Sequence, residues 1–278
     1  MSHVIALAVG VLLSLPATGC SQGWHEKHGW DAEAYFTDPQ VVALCQAIEA
    51  KDVEELDRLA KAGANVNAVG KDNMTPLLWA FPEQNTECFK RLLELGANPN
   101  VMFDGRKIPP RGAFWFHDSV THMSLRTARM SYFELVYQHG GDPKLIGGVP
   151  GETDPPIITA VQSGGPDRKK KIEQLLELGA DIHQKDSAGR EAVTVAVGWG
   201  GQYELALWLL KKGADPKAQR PDQKTWLIHK VLVERKRARS LPEEIQKDYD
   251  ALVAYLEEQG ESLEQAEKVM IEWGYKYE

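Results

Sequence analysis

Cysteine is scarce in this chain: Cys20, Cys45 and Cys88 are the three in 278 residues. That excludes a disulfide-dense scaffold, and no cysteines and histidines stand at zinc-site spacing. Glycine-rich phosphate loops are missing, as is the turn that presents a nucleophilic serine. Positive charge is in deficit, with a formal net charge of −8. A general nucleic-acid binder would be basic, so no nucleic-acid partner is expected. Long apolar runs are also lacking. Val4 to Leu15 is a twelve-residue apolar stretch, too short to cross a bilayer as a helix. These absences leave no case for an enzyme, a cofactor or a resident metal. The pair His117-Asp118 lacks an accompanying nucleophile motif, so a hairpin or capping role is expected for it.

What is present begins at the N-terminus. The opening twenty residues, "MSHVIALAVGVLLSLPATGC", hold no Lys, Arg, Asp or Glu. Their apolar core suits a signal peptide over residues 1–20. The segment "PATGC" resembles a bacterial lipobox, in which Cys20 becomes the lipidated first residue. Ala17 stands three before the cysteine, where Leu is commoner, and the leading "MSH" carries no Lys or Arg. The resemblance implies a lipid anchor in the bacterial envelope, facing the periplasm. Ser21 is similar to the outer-membrane sorting pattern. Cys45 and Cys88 would then remain; they are expected as two separate buried small side chains rather than a pair. Residues 21–37 show no repeat and read as a tether, whose "HEKH" (His25 to His28) offers two histidines three apart.

The strongest signal is self-similarity. "LAKAGANVNA", "LLELGANPN", "VYQHGGDPK", "LLELGADIH" and "LLKKGADPK" carry glycines at positions 63, 96, 140, 179 and 213. The spacings are 33, 44, 39 and 34. Upstream, "MTPLLWA" is followed by weaker echoes in "SVTHMSL", "DPPIITAV", "REAVTVAV" and "KTWLIHKV". Thr75 can cap a helix while Pro76 occupies its first position. Cys88, Phe89, Leu92 and Leu93 then share one face of a second helix. Gly96 ends it, because the following position favours positive φ. This pattern resembles the ankyrin repeat, over residues 38–261, with a capping helix over 262–278. The resemblance implies an all-α solenoid of about six units with short β-hairpin fingers, whose neighbours stack to bury a core. Trp79 and Trp208 fall at core positions of this pattern.

Insertions point to the binding face of such a solenoid. The 44-residue spacing is eleven longer than 33, and the surplus lies in Val101 to Asp118. This enlarged finger holds "IPPRGAFWFHDS", flanked by Phe103, Arg106, Lys107 and Arg111. Two arrangements are open for its aromatics. Phe114 and Phe116 fold back while Trp115 points outward, or all three form an interface anchor with the arginines.

Further partner contacts implied by the resemblance are Lys71, Asp72, Met74, Glu83, Arg126, Thr127, Gln162, Ser163, Ser187, Ala188, Arg190, Trp199, Asp222 and Lys224. The main binding set is Phe103, Arg106, Arg111, Phe114, Trp115, Phe116, His117, Arg126, Arg190 and Trp199. Trp199, between glycines in "GWGG", has little helix to hide under. Basic runs at Arg168 to Lys171 and Glu234 to Arg239 read as solvated faces, with a lipid-headgroup contact as the alternative. Exported ankyrin lipoproteins are known as immunity proteins against type VI secretion effectors, notably lipases. The expected function is therefore binding of one protein, such as a secreted lipase, with an envelope scaffold for oxidative-stress enzymes as the alternative.

Overall fold

The structure is a computed structural model and describes residues 23–82, 86–104, 118–146, 154–218 and 226–275. Two short helices come first: α1 (Trp24–Lys27) and α2 (Ala32–Tyr35). Six helix pairs follow. They are α3 (Pro39–Ala50) with α4 (Val53–Lys61), α5 (Pro76–Ala80) with α6 (Thr86–Glu94), and α7 (Val120–Arg126) with α8 (Met130–Gln138). Then come α9 (Pro156–Gln162) with α10 (Arg168–Glu177), α11 (Ala192–Gly198) with α12 (Tyr203–Lys211), and α13 (Leu227–Ala238) with α14 (Glu243–Glu258). The last helix, α15 (Leu263–Glu272), is capped by Ser262, which accepts from Gln265 N–H at 3.2 Å. First helices pack on first helices, as α7 on α9, α9 on α11, α11 on α13 and α13 on α15. Second helices pack likewise, α4 on α6, α6 on α8 and α12 on α14.

Local rules set the unit. Thr75 accepts the Leu78 N–H at 3.1 Å and Pro76 opens α5, so two helix-start requirements are met by adjacent residues. Gly96 takes φ +85°, and the Ala97 N–H reaches back to Leu92 C=O at 2.9 Å, closing the C-terminal turn. Asn98 then accepts the Asn100 N–H at 2.9 Å, and the same two-residue turn recurs at Asn65, Asp142, Asp181 and Asp215. Side chains bridge adjacent units. Asn67 donates to Gly96 C=O at 2.8 Å and accepts the Asn98 N–H at 2.7 Å. Asn100 repeats this with Gly140 and Asp142, at 2.8 and 2.9 Å. The fingers, expected as β-hairpins, contain one isolated antiparallel bridge among the described residues, Lys185 to Glu191. Asparagine and aspartate turns hold them in place of strand pairing.

Two sequence expectations need correction. The supposed tether, from residue 23 onward, is part of the fold. Trp30 and Phe36 are buried, and His25 is 1% exposed. The four rings of His25, Trp30, Tyr35 and Phe36 surround Trp79 on α5 at centroid distances of 4.7, 5.1, 5.7 and 6.4 Å. His25 Nε2 also bonds to Trp79 C=O at 2.8 Å. That use of His25 takes it away from any two-histidine metal site. The reason is apolar area: a buried tryptophan hides roughly 200 Å², on the order of 5 kcal/mol.

The second correction concerns the basic run at the start of α10. Lys171 is not solvated. Its Nζ donates to the carbonyls of Ser124, Leu125 and Thr127 at 3.2, 3.0 and 2.6 Å. These lie at the end of α7, whose last carbonyls have no partner within the helix, so one ammonium caps the neighbouring unit's helix. Its burial lowers the Lys171 pKa, and the carbonyl cage compensates the charge. The second run is bound into ion pairs: Arg235 with Glu267 at 3.3 Å, Arg239 with Asp250 at 2.8 Å, and Glu234 with Lys230 and Arg237.

Cys45 and Cys88 are buried thiols on different helices. No helix among the described residues is long and apolar enough to cross a membrane.

Candidate functional site

The enlarged finger is closed at its base. Phe103 N–H donates to Asp118 C=O at 2.8 Å, and Asp104 N–H donates to Asp72 C=O at 2.9 Å. Phe103 itself is 1% exposed. Its expected role in partner binding is corrected: the ring is core, and its apolar area anchors the finger instead. Asp118 is buried and ion-paired with Arg126. That pairing accounts for the acidic half of His117-Asp118 as a structural group. Arg126 is half-buried at the end of α7, beside the finger base. Of the expected set, Cys20, Arg106, Arg111, Phe114, Trp115, Phe116 and His117 lie outside the described residues, as do Glu83, Asp222 and Lys224.

The remaining expected contacts separate by burial. Lys71, Asp72 and Ser187 are exposed; Thr127, Gln162, Ser163 and Ala188 are half-buried. Met74 is fully buried, so its expected surface role is corrected: it precedes the helix cap and packs into the core. Trp79 is buried as expected. Trp208 is half-buried, with Lys212 Nζ 5.3 Å from its ring centroid.

Arg190 and Trp199 meet at one place. Asp186 holds the arginine: its Oδ2 accepts from Arg190 Nε at 2.7 Å, while Oδ1 accepts the Ala188 and Arg190 N–H groups at 2.9 and 2.8 Å. Trp199 follows α11 and is 53% exposed. Both border a cavity of about 330 Å³ between α11, α13 and the end of α15. Val195 and Gly198 come from α11, Lys230 and His229 from α13, and Tyr275 from beyond α15. This volume falls at the lower end for small-ligand sites.

Sequence reasoning did not select Trp226, His229, Lys230 or Tyr275. A signal was available. His229 in "KTWLIHKV" and His122 in "SVTHMSL" are both the third residue of the first helix of their unit. His122 Nδ1 contacts Ser119 Oγ at 2.8 Å, and Trp226 N–H donates to His229 Nδ1 at 3.2 Å. Burial drives the His122 imidazole pKa down to about 3, with Arg126 adding to the shift. Backbone groups at Leu145 and Asp154, next in the stack, oppose it. Burial alone lowers the His229 pKa. Both rings are therefore neutral at pH 7.

Two comparisons with known proteins agree with this architecture. The family model described as "Ankyrin repeat" matches residues 72–102. The chain is similar to Protein PhlB of Serratia liquefaciens, 26% identical over 185 residues, which cover 66% of this chain and 74% of that protein. Ankyrin repeats generally act in protein–protein interaction rather than catalysis. The six helix pairs stack as an all-α solenoid, and the ankyrin match within it points to a protein–protein interaction role.

Proposed function

We propose that this chain is an exported, lipid-anchored immunity protein that binds and neutralises a secreted effector, such as a type VI lipase. The observation that carries the reading is the pinned base of the enlarged finger. The Phe103–Asp118 and Asp104–Asp72 backbone bonds tie residues 105–117 to two rigid units. Between those ends the sequence carries Arg106, Arg111, Phe114, Trp115, Phe116 and His117. Aromatic and arginine side chains are enriched among interface anchors. Mounting their loop on a rigid scaffold lowers the ordering cost of binding. Such a finger suits insertion into a partner's cleft. The leader ending in "PATGC" supports acylation at Cys20 and a periplasm-facing position, with Ser21 favouring the outer membrane.

The test is co-purification of residues 21–278 with the product of the adjacent gene, followed by a lipase assay. Stable association and loss of lipase activity are expected. An adjacent product that does not bind, or that is harmless in the periplasm without this chain, overturns the immunity reading in favour of an envelope scaffold. Replacing Phe114, Trp115 and Phe116 with Ala should weaken association by about 3 kcal/mol while the far-UV spectrum is retained. Unfolding of that variant, with normal affinity in its folded fraction, would assign the three rings to packing.

A further inference from the structure

We propose that the cavity bordered by α11, α13 and α15 binds a partner's chain segment in which an aromatic side chain sits beside a carboxylate. This rests on the protein-binding reading and goes beyond it by naming a second contact, remote from the enlarged finger, and its chemistry.

The cavity is apolar on its floor and rim, where Val195, Trp199, Trp226, Val233 and Tyr275 line it. Trp199, Val233 and Tyr275 are among the exposed large hydrophobics of the chain. Two cations, Arg190 and Lys230, line it as well, and no Asp or Glu among the described residues does. Their own partners, Asp186 and Glu234, lie outside the lining. An incoming carboxylate therefore meets two positive groups and, among the described residues, no lining negative one.

His229 adds a donor. Its Nδ1 accepts the Trp226 N–H at 3.2 Å, so in the neutral ring the proton sits on Nε2. The residue is 5% exposed, and among the described residues Nε2 has no hydrogen-bond partner. A buried donor left unmet is costly, and a ligand oxygen that reaches Nε2 as the cavity fills would recover that cost. Its counterpart His122, whose Nε2 also lacks a hydrogen-bond partner among the described residues, is flanked by backbone at Leu145 and Asp154 of the following finger. His229 belongs to the last helix pair, after which the chain supplies α15 in place of another finger.

The molecule also contains its own precedent for the occupant. Val195 on the cavity floor is the fourth residue of α11, as Trp79 is of α5. Over Trp79 lies "WDAEAYF", Trp30 to Phe36, an aromatic segment with two interspersed acids, Asp31 and Glu33. Among the described residues, the face that α5 presents to this segment is open at α11.

The test titrates the full chain, kept soluble in mild detergent, with a labelled, capped pentapeptide carrying one phenylalanine between two glutamates. Saturable binding is expected by anisotropy. Exchanging both glutamates for glutamines, or the phenylalanine for alanine, should weaken it by about tenfold or more. Trp199→Ala should do the same without changing the folded spectrum, because that side chain is exposed. In protein with nitrogen-15 histidine, His229 should show the Nε2–H tautomer, and that proton should move downfield on binding. No binding at about 1 mM peptide overturns the proposal, and so does equal affinity for the glutamine peptide. An unaffected Trp199→Ala variant, or an unmoved His229 signal, overturns it too. Failure here leaves the adjacent-gene association standing; failure of that association with peptide binding intact removes only the effector reading.

Discussion

Two tryptophans mark the two ends of the solenoid, and they are used in opposite ways. Trp79 belongs to the second unit and is fully buried beneath the chain's own N-terminal segment. Trp199 belongs to the fifth unit, is 53% exposed and borders an open cavity. Both lie on or next to the first helix of a unit, so the difference comes from what each end of the stack receives. The N-terminal end receives a folded aromatic segment. The C-terminal end receives α15, which packs on α13 and leaves the neighbouring face of α11 accessible. An exposed aromatic in a repeat protein therefore gains meaning only beside a buried counterpart in the same chain.

The contrast can be broken experimentally. Trp79→Ala should have the largest effect, about 4 kcal/mol of unfolding free energy, because it opens a cavity among four rings. Urea denaturation reads this directly, and Trp199→Ala in the same assay should stay within about 0.5 kcal/mol of the parent. Lys171→Met comes next, at about 3 kcal/mol, since three carbonyls at the end of α7 lose their shared donor.

Gly70→Ala should cost about 2 kcal/mol and act on the N-terminal end alone. An added Cβ would stand 2.4 Å from Tyr35 C=O and 2.8 Å from the Phe36 ring. Limited proteolysis should then cut within residues 23–38 of this variant sooner than in the parent.

The smallest effect per unit change is a pH slope. His122 has a pKa of about 3 in the fold against 6.5 for the free side chain. The unfolded chain thus binds the extra proton as pH falls from 6.5 towards 3, and stability is lost across that window at about 1.4 kcal/mol per pH unit. Above pH 6.5 the group contributes no slope. Denaturation midpoints at pH 7, 6 and 5 measure it. The His122→Leu variant, which copies Leu78 at the same register of α5, should flatten the slope.

Much of the fold was legible because it is periodic. Glycine at the end of each second helix, Thr75-Pro76 at a helix start and the recurring Asn or Asp after each glycine are local signals with local causes. What escaped reading was not periodic. The N-terminal segment shares no repeat, and its four rings find Trp79 only in three dimensions. Lys171 looked like one charge in a basic run, because the carbonyls that hold it lie some 44 to 47 residues earlier in the chain. Phe103 looked like a flank of the enlarged finger but is its buried anchor. Arg190 and Trp199 were selected together as fifth-unit contacts, and only packing of α11 against α13 joined them to His229. Residues 105–117, read as the tip from composition, lie outside the described residues.

The account turns most on residues 23–36 being a fixed cover over Trp79 and not a tether. Hydrogen exchange on the chain from Ser21 onward tests this most directly. The Trp30 N–H is bonded to His25 C=O at 2.8 Å and the Phe36 N–H to Ala32 C=O at 2.9 Å. Both should exchange as slowly as the amides of α5, through opening of the folded unit. Exchange of both at open-chain rates, with α5 still protected, would contradict the account.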